Sequence, residues 1–426
     1  MSKTYRLGGK TFANVTFNTT LKNSIDVKSI RDVKNILREI NVIRTEESWN
    51  QVGTTLTGKA NNDKTGASVS LSSDGTVLAI GSPQQTTGSN GYASVYKSCC
   101  NIWIKLGSDI IGEASDDESG FYLSISGDGS TLAVGAPRND VSGSDHGHVR
   151  IHKWDGTAWN QLGTDIDGEA AGDRFGYNLS LSKDGNTVII GSYLNDAGGD
   201  QKGHARVLRW DGSDWTQLGA DLDGDDDKDW FGRSVYISAD GNKVVIGASL
   251  GGRSPGNYGL GYAKVYEWNG SAWVQVGTTL TGIAEKDWFG FSAAMSTDGN
   301  TVALGAPFYD TNRGYTAVYR FNGSEWVQLG TNILGESQGE ISAYSINLSA
   351  DGTIVAIGSV ATTNGQVRVF EWNGTTWNQI GLDIDGGSSG DRAGESVSLS
   401  ANGTLLAIGA NGADSSSGNV KLYELN

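Results

Sequence analysis

The histidines are the residues of this sequence whose type and spacing come closest to a metal site. His146, His148 and His152 fall within seven residues, and His148 and His152 would share one face of a β-strand. That spacing suits a metal ion, but a third ligand is not evident nearby, and zinc sites have a demanding geometry. We therefore interpret these histidines as exposed polar residues at a loop–strand junction and predict no metal there.

The stretch Asp221–Asp229 contains six aspartates, and calcium prefers several carboxylate oxygens. Asp165–Asp167 and Asp383–Asp385 are milder copies of the same pattern. None of them has the spacing of an EF-hand. Aspartate beside glycine also stabilises turns through side-chain to backbone hydrogen bonds. We predict no cofactor, and calcium near Asp221–Asp229 is the alternative that the composition leaves open.

No other group of residues indicates catalysis. The sequence contains neither HExxH nor a P-loop. Cys99 and Cys100 are adjacent, a geometry that strains a disulfide, and no local base is implied that would activate either thiol. Two exposed, unpaired thiols are expected, and the protein is predicted not to be an enzyme.

The distribution of charge limits the partners. The chain of 426 residues has a net charge of −16, while residues 1–48 carry nine Lys/Arg and five Asp/Glu. The remaining, strongly acidic body would repel phosphates, so we predict no nucleic-acid partner. No apolar run approaches the roughly 20 residues of a membrane span, and the N-terminus lacks an apolar stretch of signal-peptide length.

The elements that would position any site come from a repeat. A Trp-x-x-x-Gly phrase, usually with Gln at the third position, recurs seven times at intervals of 51 to 58 residues. The phrases begin at Trp49, Trp103, Trp159, Trp215, Trp273, Trp326 and Trp377. Each interval contains four short β-like runs, which we call a, b, c and d in chain order. Asp-Gly or Asn-Gly pairs, which favour tight hairpin turns, separate a from b, and in five repeats also c from d.

Four-stranded units repeated around an axis define a β-propeller. Seven a, b and c strands are present, but the chain ends after the last c strand, Asn419–Leu425. Trp49–Gly53 must therefore supply the seventh d strand. We predict an all-β fold: a seven-bladed β-propeller of four-stranded antiparallel blades over residues 49–426, with the ring closed by this N-terminal strand.

The a strands follow Asp-x-Phe-Gly in several repeats, as at Asp173–Gly176 and Asp229–Gly232, and b strands end in Gly-Ala-Pro or a variant of it, as at Gly135–Pro137. This combination resembles the FG-GAP repeat of integrin α-chain propellers over about residues 49–426. The resemblance implies the propeller fold and a role in adhesion or protein recognition. The calcium loops of that family need more carboxylates than the Ser-x-Asp-Gly turns found here, so its calcium sites are not expected.

The propeller would carry all long, variable loops on one face. The b–c and d–a connections meet there, whereas the a–b and c–d turns on the other face are short and uniform. Binding residues lie preferentially on variable loops held by a rigid scaffold. The predicted binding residues are Arg138, Asn139, Asp140, His146, Asn195, Asp196, Arg253, Tyr258, Phe308, Tyr309, Asp310 and Arg313.

Residues 1–48 lie outside the repeat and are predicted to be a short α/β extension. Thr11–Phe17 is compatible with a strand, and Ser29–Ile43 with an amphipathic helix. The helix would present an apolar stripe beside basic residues. It either packs on the propeller or docks the protein onto a larger assembly. The predicted docking residues are Ile30, Arg31, Val33, Lys34, Leu37 and Arg38.

These features favour a non-enzymatic binding or scaffolding module. We expect a structural or attachment component of a larger assembly, on a cell surface or a virion-like particle. It would recognise a protein or glycan through the loop-rich face and contact the assembly through residues 1–48. The alternative is a propeller enzyme, a lyase or hydrolase, with an active site in the central pocket.

Overall fold

The structure is a computed structural model, and it describes residues 3–7, 10–15, 47–84, 88–100, 102–140, 144–251, 259–361 and 363–426. The chain forms two compact units, Met1–Ser48 together with Asn426, and Trp49–Leu425. In the first unit, strand Lys3–Leu7 pairs antiparallel with Lys10–Val15, where the sequence had indicated a single strand. The predicted helix Ser29–Ile43, with all six docking residues, lies outside the described residues.

The second unit is a seven-bladed β-propeller, so the predicted fold is confirmed. In each blade, strands a, b, c and d are neighbours in that order and pair antiparallel. The a strands are Ser68–Leu71, Tyr122–Ile125, Asn178–Leu181, Phe231–Ile237, Ser292–Met295, Ser342–Leu348 and Ser396–Leu399. The b strands are Val77–Ser82, Thr131–Ala136, Thr187–Ser192, Lys243–Ala248, Thr301–Ala306, Ile354–Ser359 and Leu405–Ala410.

The outer half of each blade contains the c and d strands. The c strands are Tyr92–Cys99, His148–Trp154, His204–Trp210, Tyr262–Trp268, Tyr315–Phe321, Gln366–Trp372 and Asn419–Leu425. The d strands are Ile102–Lys105, Trp159–Gln161, Trp215–Gln217, Trp273–Gln275, Trp326–Gln328, Trp377–Gln379 and Trp49–Gln51. We number the blades 1 to 7 by their a strands, so that blade 7 contains both ends of the propeller.

A two-residue continuation of strand d was not predicted. After the glycine of the Trp phrase, which has a positive φ (81° at Gly163), the chain returns to pair with the first residues of strand c. These extensions are Leu56–Thr57, Ile110–Ile111, Ile166–Asp167, Leu222–Asp223, Leu280–Thr281, Ile333–Leu334 and Ile384–Asp385. They bring the residues around them to the start of strand c.

The ring closes as the missing strand required. Trp49–Gln51 pairs with the last c strand, with Trp49 opposite Leu425 and Gln51 opposite Tyr423. The indole Nε1 of Trp49 also donates to the carbonyl of Ile380 in blade 6, at 3.0 Å. The same indole bond to the preceding blade recurs elsewhere, for instance from Trp215 to Leu162. This outer belt of hydrogen bonds explains why the repeat retains tryptophan.

The face with the short turns is joined by a closed ring of backbone hydrogen bonds. In each blade the second residue after strand a donates its backbone N–H to the carbonyl oxygen of the equivalent residue in the next blade, at 2.8–3.0 Å. The ring runs through Ser73, Gly127, Lys183, Ala239, Thr297, Ala350 and Ala401 and returns to Ser73. Because every blade contributes one donor and one acceptor, this end of the axis is rigid and offers little unsatisfied backbone.

The Phe-Gly and Gly-Ala-Pro signatures have a packing explanation. Phe175, Phe231 and Phe289 are fully buried between blades. The glycine that follows approaches the b-strand glycine of the preceding blade: a Cβ added to Gly191 would lie 2.1 Å from the carbonyl oxygen of Gly232. Real Cβ contacts essentially never fall below 3.0 Å. The b-strand position is glycine in all seven blades, and the position that approaches it is glycine in six blades and Ala343 in blade 6, so this separation requires that the b-strand position lack a side chain.

The other face of the disc, which we call the loop face, carries the b–c and d–a connections. Two b–c connections contain a four-residue helical turn, Tyr309–Asn312 and Ala413–Ser416, each with three residues at positive φ. Within the described residues, no helix has the length and apolar character needed to cross a membrane. The d–a connections end at the position of the Asp-x-Phe-Gly phrase, which is complete in blades 3, 4 and 5, and this position lies near the axis.

Candidate ligand-binding site

The carboxylate at the first position of the Asp-x-Phe-Gly phrase, aspartate in six blades and Glu340 in blade 6, holds each d–a loop in place. In blade 3 the buried Asp173 accepts the backbone N–H of Ala170, and in blade 4 Asp229 accepts those of Asp225 and Asp226. Each carboxylate thereby closes a tight turn. Since this turn recurs in every repeat, it delivers the residues on either side of the Phe-Gly pair to the same place around the axis.

Two concentric sets of seven residues surround the mouth of the axis on the loop face. Each residue of the inner set comes directly after the last position of the Asp-x-Phe-Gly phrase, and the set lines a cavity of about 420 Å³. It consists of Ala67, Phe121, Tyr177, Arg233, Phe291, Tyr344 and Glu395. The outer set precedes the phenylalanine position and consists of Lys64, Glu118, Arg174, Trp230, Trp288, Ile341 and Arg392. The cavity is of a size that accommodates a small ligand or one end of a larger one.

The outer set is strained. All seven of its residues have φ between 52° and 58°, the left-handed region that non-glycine residues rarely adopt. Ile341, which is β-branched, is the most unfavourable of them, and such conformations cost of order 1–3 kcal/mol each. Glycine would relieve the strain at every one of these positions but would remove the side chain. The retained side chains are therefore a reason to look for function at this mouth.

Aromatic rings from five blades form a continuous cluster here, which we call the aromatic arc. Its members are Phe121, Tyr177, Tyr193, Trp230, Trp288, Phe291, Phe308 and Tyr344. Successive ring centroids lie 4.5–6.2 Å apart, with tilted or edge-to-face geometry. Tyr193 and Phe291 are buried, whereas the other six are partly exposed. Of the eight, Phe121, Tyr177, Phe291 and Tyr344 line the cavity at the mouth.

Arg233 lies within the arc. Its guanidinium is 4.1 Å from the ring centroid of Phe291 and 4.6 Å from that of Tyr177, both suitable for cation–π contact. Among the described residues no carboxylate lies within 4 Å of this guanidinium. Cation–π contacts with these rings therefore stabilise its charge, and its N–H groups remain available for an anionic ligand.

Apart from Lys64, which forms no ion pair with the described residues, the other charged groups at the mouth are paired. Arg392 Nη2 lies 2.8 Å from Glu395 Oε2, and Arg138 Nη1 lies 3.3 Å from Glu118 Oε1. Burial raises the pKa of Glu118 above its usual range, although Arg138 opposes this shift. The two sets together contain four basic and two acidic residues, so the mouth is locally basic on a strongly acidic protein.

The residues predicted from the b–c loops fall into three groups. Asn139 and Asn195 are buried, and their amides donate to Asp117 and Asp173, which ties the b–c loop to the d–a loop of the same blade. His146 is buried as well. The remaining described residues lie towards the solvent: Arg138, Asp140, Asp196, Phe308, Tyr309, Asp310 and Arg313. Arg253 and Tyr258 lie outside the described residues.

Among the predicted binding residues that the structure describes, only Phe308 belongs to the arc. Arg138 is close to it, because it lines a second cavity of about 280 Å³ together with Phe121, Arg174 and Tyr193. The prediction was restricted to the b–c loops and missed the other arc residues. All of these except Tyr193 flank the Phe-Gly position of the repeat, so aligning the seven repeats there would have revealed them.

The expected exposure of the histidines was wrong. All four histidines are buried rather than exposed, because strand c is covered on both faces by neighbouring blades. Burial lowers the pKa of His152 to about 4, with a further contribution from Arg150, so this imidazole is neutral near pH 7.

The aspartates of Asp221–Asp229 do not converge on one point. Asp223, Asp226 and Asp227 are exposed, and Asp229 is occupied as the turn acceptor. In the part of the chain that the structure describes, no group of potential metal ligands contains more than one residue of this stretch. Calcium at this loop therefore stays a prediction without support from the geometry.

Comparisons with known proteins agree with the fold. The FG-GAP repeat family matches residues 164–208, which span the d-strand extension of blade 2 and much of blade 3. No curated protein sequence matches the chain. Among solved structures, the hydrazine synthase of Kuenenia stuttgartiensis is 13% identical, with a TM-score of 0.57 over 88% of this chain and 97% of that one.

A second similar structure is the Cps50 (Swd1) β-propeller domain of Myceliophteria thermophila. It is 10% identical, with a TM-score of 0.58 over 88% of this chain and 100% of that one. At these identities the similarity concerns the propeller fold alone. The chemistry of the loop face has to be argued from its own residues.

Proposed function

We propose that this chain, an FG-GAP-like seven-bladed β-propeller, is a non-enzymatic recognition module that binds an acidic glycan at the mouth of the loop face. The observation that carries the proposal is the aromatic arc around the unpaired Arg233. Flat aromatic faces stack on the C–H faces of sugar rings, and a guanidinium with free N–H groups binds a carboxylate or sulfate in bidentate fashion. A site that combines the two is suited to an acidic saccharide.

The remaining features of the mouth support recognition rather than turnover. Hydrolysis or elimination needs an acid and a base free to exchange protons with the substrate. The two carboxylates of the mouth, Glu118 and Glu395, are each engaged by an arginine. The strained outer set holds its side chains in place before a ligand arrives, which reduces the ordering cost of binding.

The test is calorimetric binding of defined uronic-acid oligosaccharides to the full chain. Replacing Arg233 with Gln should weaken binding about 10- to 100-fold, since one charge-assisted contact contributes about 1.5–3 kcal/mol. Lys183→Met is the matched control, because Lys183 is a basic residue at the opposite end of the same axis, and it should leave affinity unchanged. Equal loss in both variants, or no binding by the unaltered chain, would refute the site.

Two further results would redirect the proposal. If acidic peptides bind in an Arg233-dependent manner and saccharides do not, the partner is a protein. If mass spectrometry detects shortened or unsaturated saccharide after incubation, the enzyme alternative replaces the non-enzymatic one.

We further propose that residues 1–48 attach the propeller to a larger assembly, such as a particle or cell surface. The support is the change in charge at the start of the repeat, from +4 over residues 1–48 to −20 over the rest. A 45–426 chain should keep saccharide binding but lose partners that the full chain captures from native particles. If the shortened chain captures the same partners, the attachment role is wrong.

A further inference from the structure

Two equivalent grooves on the loop face bring one histidine and two carboxylates together. Between blades 1 and 2 these are Glu113, His148 and Asp165. Between blades 2 and 3 they are Glu169, His204 and Asp221. In each group the potential ligand atoms lie within 4.8 Å of one another. The groups occupy the same repeat positions: the d–a loop of one blade, and strand c and the start of the d extension in the next.

The histidines of these groups lack a partner for a buried nitrogen. His148 is 1% exposed and His204 is fully buried. Within the described residues, Nδ1 of His148 and both ring nitrogens of His204 have no hydrogen-bond partner. Each Nδ1 instead faces a carboxylate oxygen at 3.9 Å, from Glu113 or Glu169. An unsatisfied buried nitrogen costs about 1–3 kcal/mol, so its repetition in two blades calls for a partner.

The carboxylate on the other side is oriented by the repeat itself. The side-chain amide of Gln161 donates to Asp165 Oδ1 at 2.6 Å, and that of Gln217 donates to Asp221 Oδ1 at the same distance. Hydrogen bonds of this kind hold metal ligands in position. The glutamate is exposed and long enough to adjust, so the three ligand atoms can close to the roughly 3.3 Å spacing of a tetrahedral zinc site.

The neighbouring groove shows that these positions attract a cation. Between blades 7 and 1, Lys59 takes the place of the glutamate and Tyr92 that of the histidine, while Asp109 keeps the place of the aspartate. The Lys59 ammonium pairs with Asp109 and lies 4.1 Å from the ring centroid of Tyr92. In that groove a positive charge built into the chain occupies the space that the other two grooves surround with ligands.

An arginine is close to each glutamate but does not complete the group. Arg150 Nη1 lies 3.5 Å from Glu113 Oε1, and Arg206 Nη1 lies 3.8 Å from Glu169 Oε1. Both guanidiniums are anchored through Nη2 to a backbone carbonyl, of Ile111 and Asp167. With two carboxylates, one guanidinium and a neutral imidazole, each groove retains one net negative charge for a cation.

We propose that these grooves are two zinc-type metal sites, each formed by one imidazole and two carboxylates with water completing the coordination. A ring nitrogen among the ligands favours zinc or a similar transition-metal ion over calcium, which takes oxygen ligands. Because the glutamate and the histidine belong to adjacent blades, each ion would join blade 1 to blade 2 or blade 2 to blade 3. The inference is independent of the saccharide site.

The test measures zinc stoichiometry on the metal-free full chain by equilibrium dialysis and elemental analysis. All proteins carry Cys99→Ser and Cys100→Ser, because these exposed thiols would bind zinc themselves. We expect two zinc ions per chain, one after either Asp165→Asn or Asp221→Asn, and none after both. These substitutions are nearly isosteric and at partly exposed positions, so the fold should persist.

Asp383→Asn is the matched control. Asp383 is held by Gln379 as Asp165 is by Gln161, but Gln366 occupies the histidine position of its blade. This variant should keep two ions, and zinc should raise its unfolding temperature as it does that of the parent chain. A parent chain that binds fewer than two ions, or a double variant that binds as many as the parent, would overturn the proposal.

Discussion

Replacing Gly191 with Ala tests the packing account of the repeat signature. The added Cβ would lie 2.1 Å from the carbonyl oxygen of Gly232 in the next blade, about 1 Å inside the closest contact that real Cβ atoms make. The backbone fixes the position of the added Cβ, and the oxygen it meets is a backbone atom. No side-chain rotation can therefore relieve the overlap, and the two blades must move apart. Overpacking of this severity costs about 3 kcal/mol, the upper part of the usual range.

The shift to expect follows from the size of the propeller. An unfolding entropy of about 2 cal/mol/K per residue makes 3 kcal/mol equal to about 4 °C in the melting temperature of a unit this large. The assay is thermal unfolding followed by tryptophan fluorescence. Gly198→Ala is the matched control, because Gly198 is on an exposed b–c loop where a Cβ would meet only the flexible side chain of Lys202, at 3.4 Å.

The control variant should melt within about 1 °C of the parent chain. If Gly191→Ala melts as the control does, the glycine contact between blades does not limit their separation, and the explanation of the Phe-Gly and Gly-Ala-Pro phrases fails.

Three other predictions concern the closure of the propeller, the pH dependence of its stability, and calcium. A 59–426 chain should aggregate or lose cooperative unfolding, because it lacks Trp49–Gln51, whereas a 45–426 chain should melt as the parent does; a soluble, cooperatively melting 59–426 chain would disprove closure. Burial raises the pKa of Asp287 to about 6, so the folded state retains a proton that the unfolded state loses. The stability of the parent relative to Asp287→Asn should therefore fall as pH rises from about 4 to above 6, and a difference that stays constant over this range in pH-dependent melts would contradict the assignment. Millimolar calcium should leave the melting temperature unchanged, since the aspartates of Asp221–Asp229 do not converge; a large shift would establish a site there.

The fold was predictable from the sequence because the same sequence signals recur in every blade of a propeller. Each blade has the same turn residues and the same Trp phrase, and a missing strand at one end matched a spare phrase at the other. Trp49 was assigned to the last blade by counting alone, and it pairs there with Leu425. The short d extensions were missed because the glycine of the Trp phrase, such as Gly163, interrupts the strand before it resumes.

The candidate site was not predictable in the same way. Arg233 and Trp288 are 55 residues apart, and neither belongs to the b–c loops from which the binding residues were predicted, so only the closed propeller brings them to one mouth. The histidines were misjudged for a related reason. His148 was interpreted as an exposed residue at a loop–strand junction, whereas strand c is enclosed by adjacent blades on both sides. The packing of neighbouring blades determines both the location of the site and the burial of the histidines, and the sequence of a single repeat does not show that packing.

A crystal structure of the chain with a uronic-acid oligosaccharide would show whether the mouth of the loop face binds the saccharide. We expect a sugar carboxylate within hydrogen-bonding distance of the Arg233 guanidinium and a sugar ring stacked on a partly exposed member of the aromatic arc, Trp230 or Trp288. The blades should keep their positions, because the closed propeller fixes the shape of the mouth before the ligand binds. A saccharide bound elsewhere, with the mouth of the loop face empty, would contradict the account.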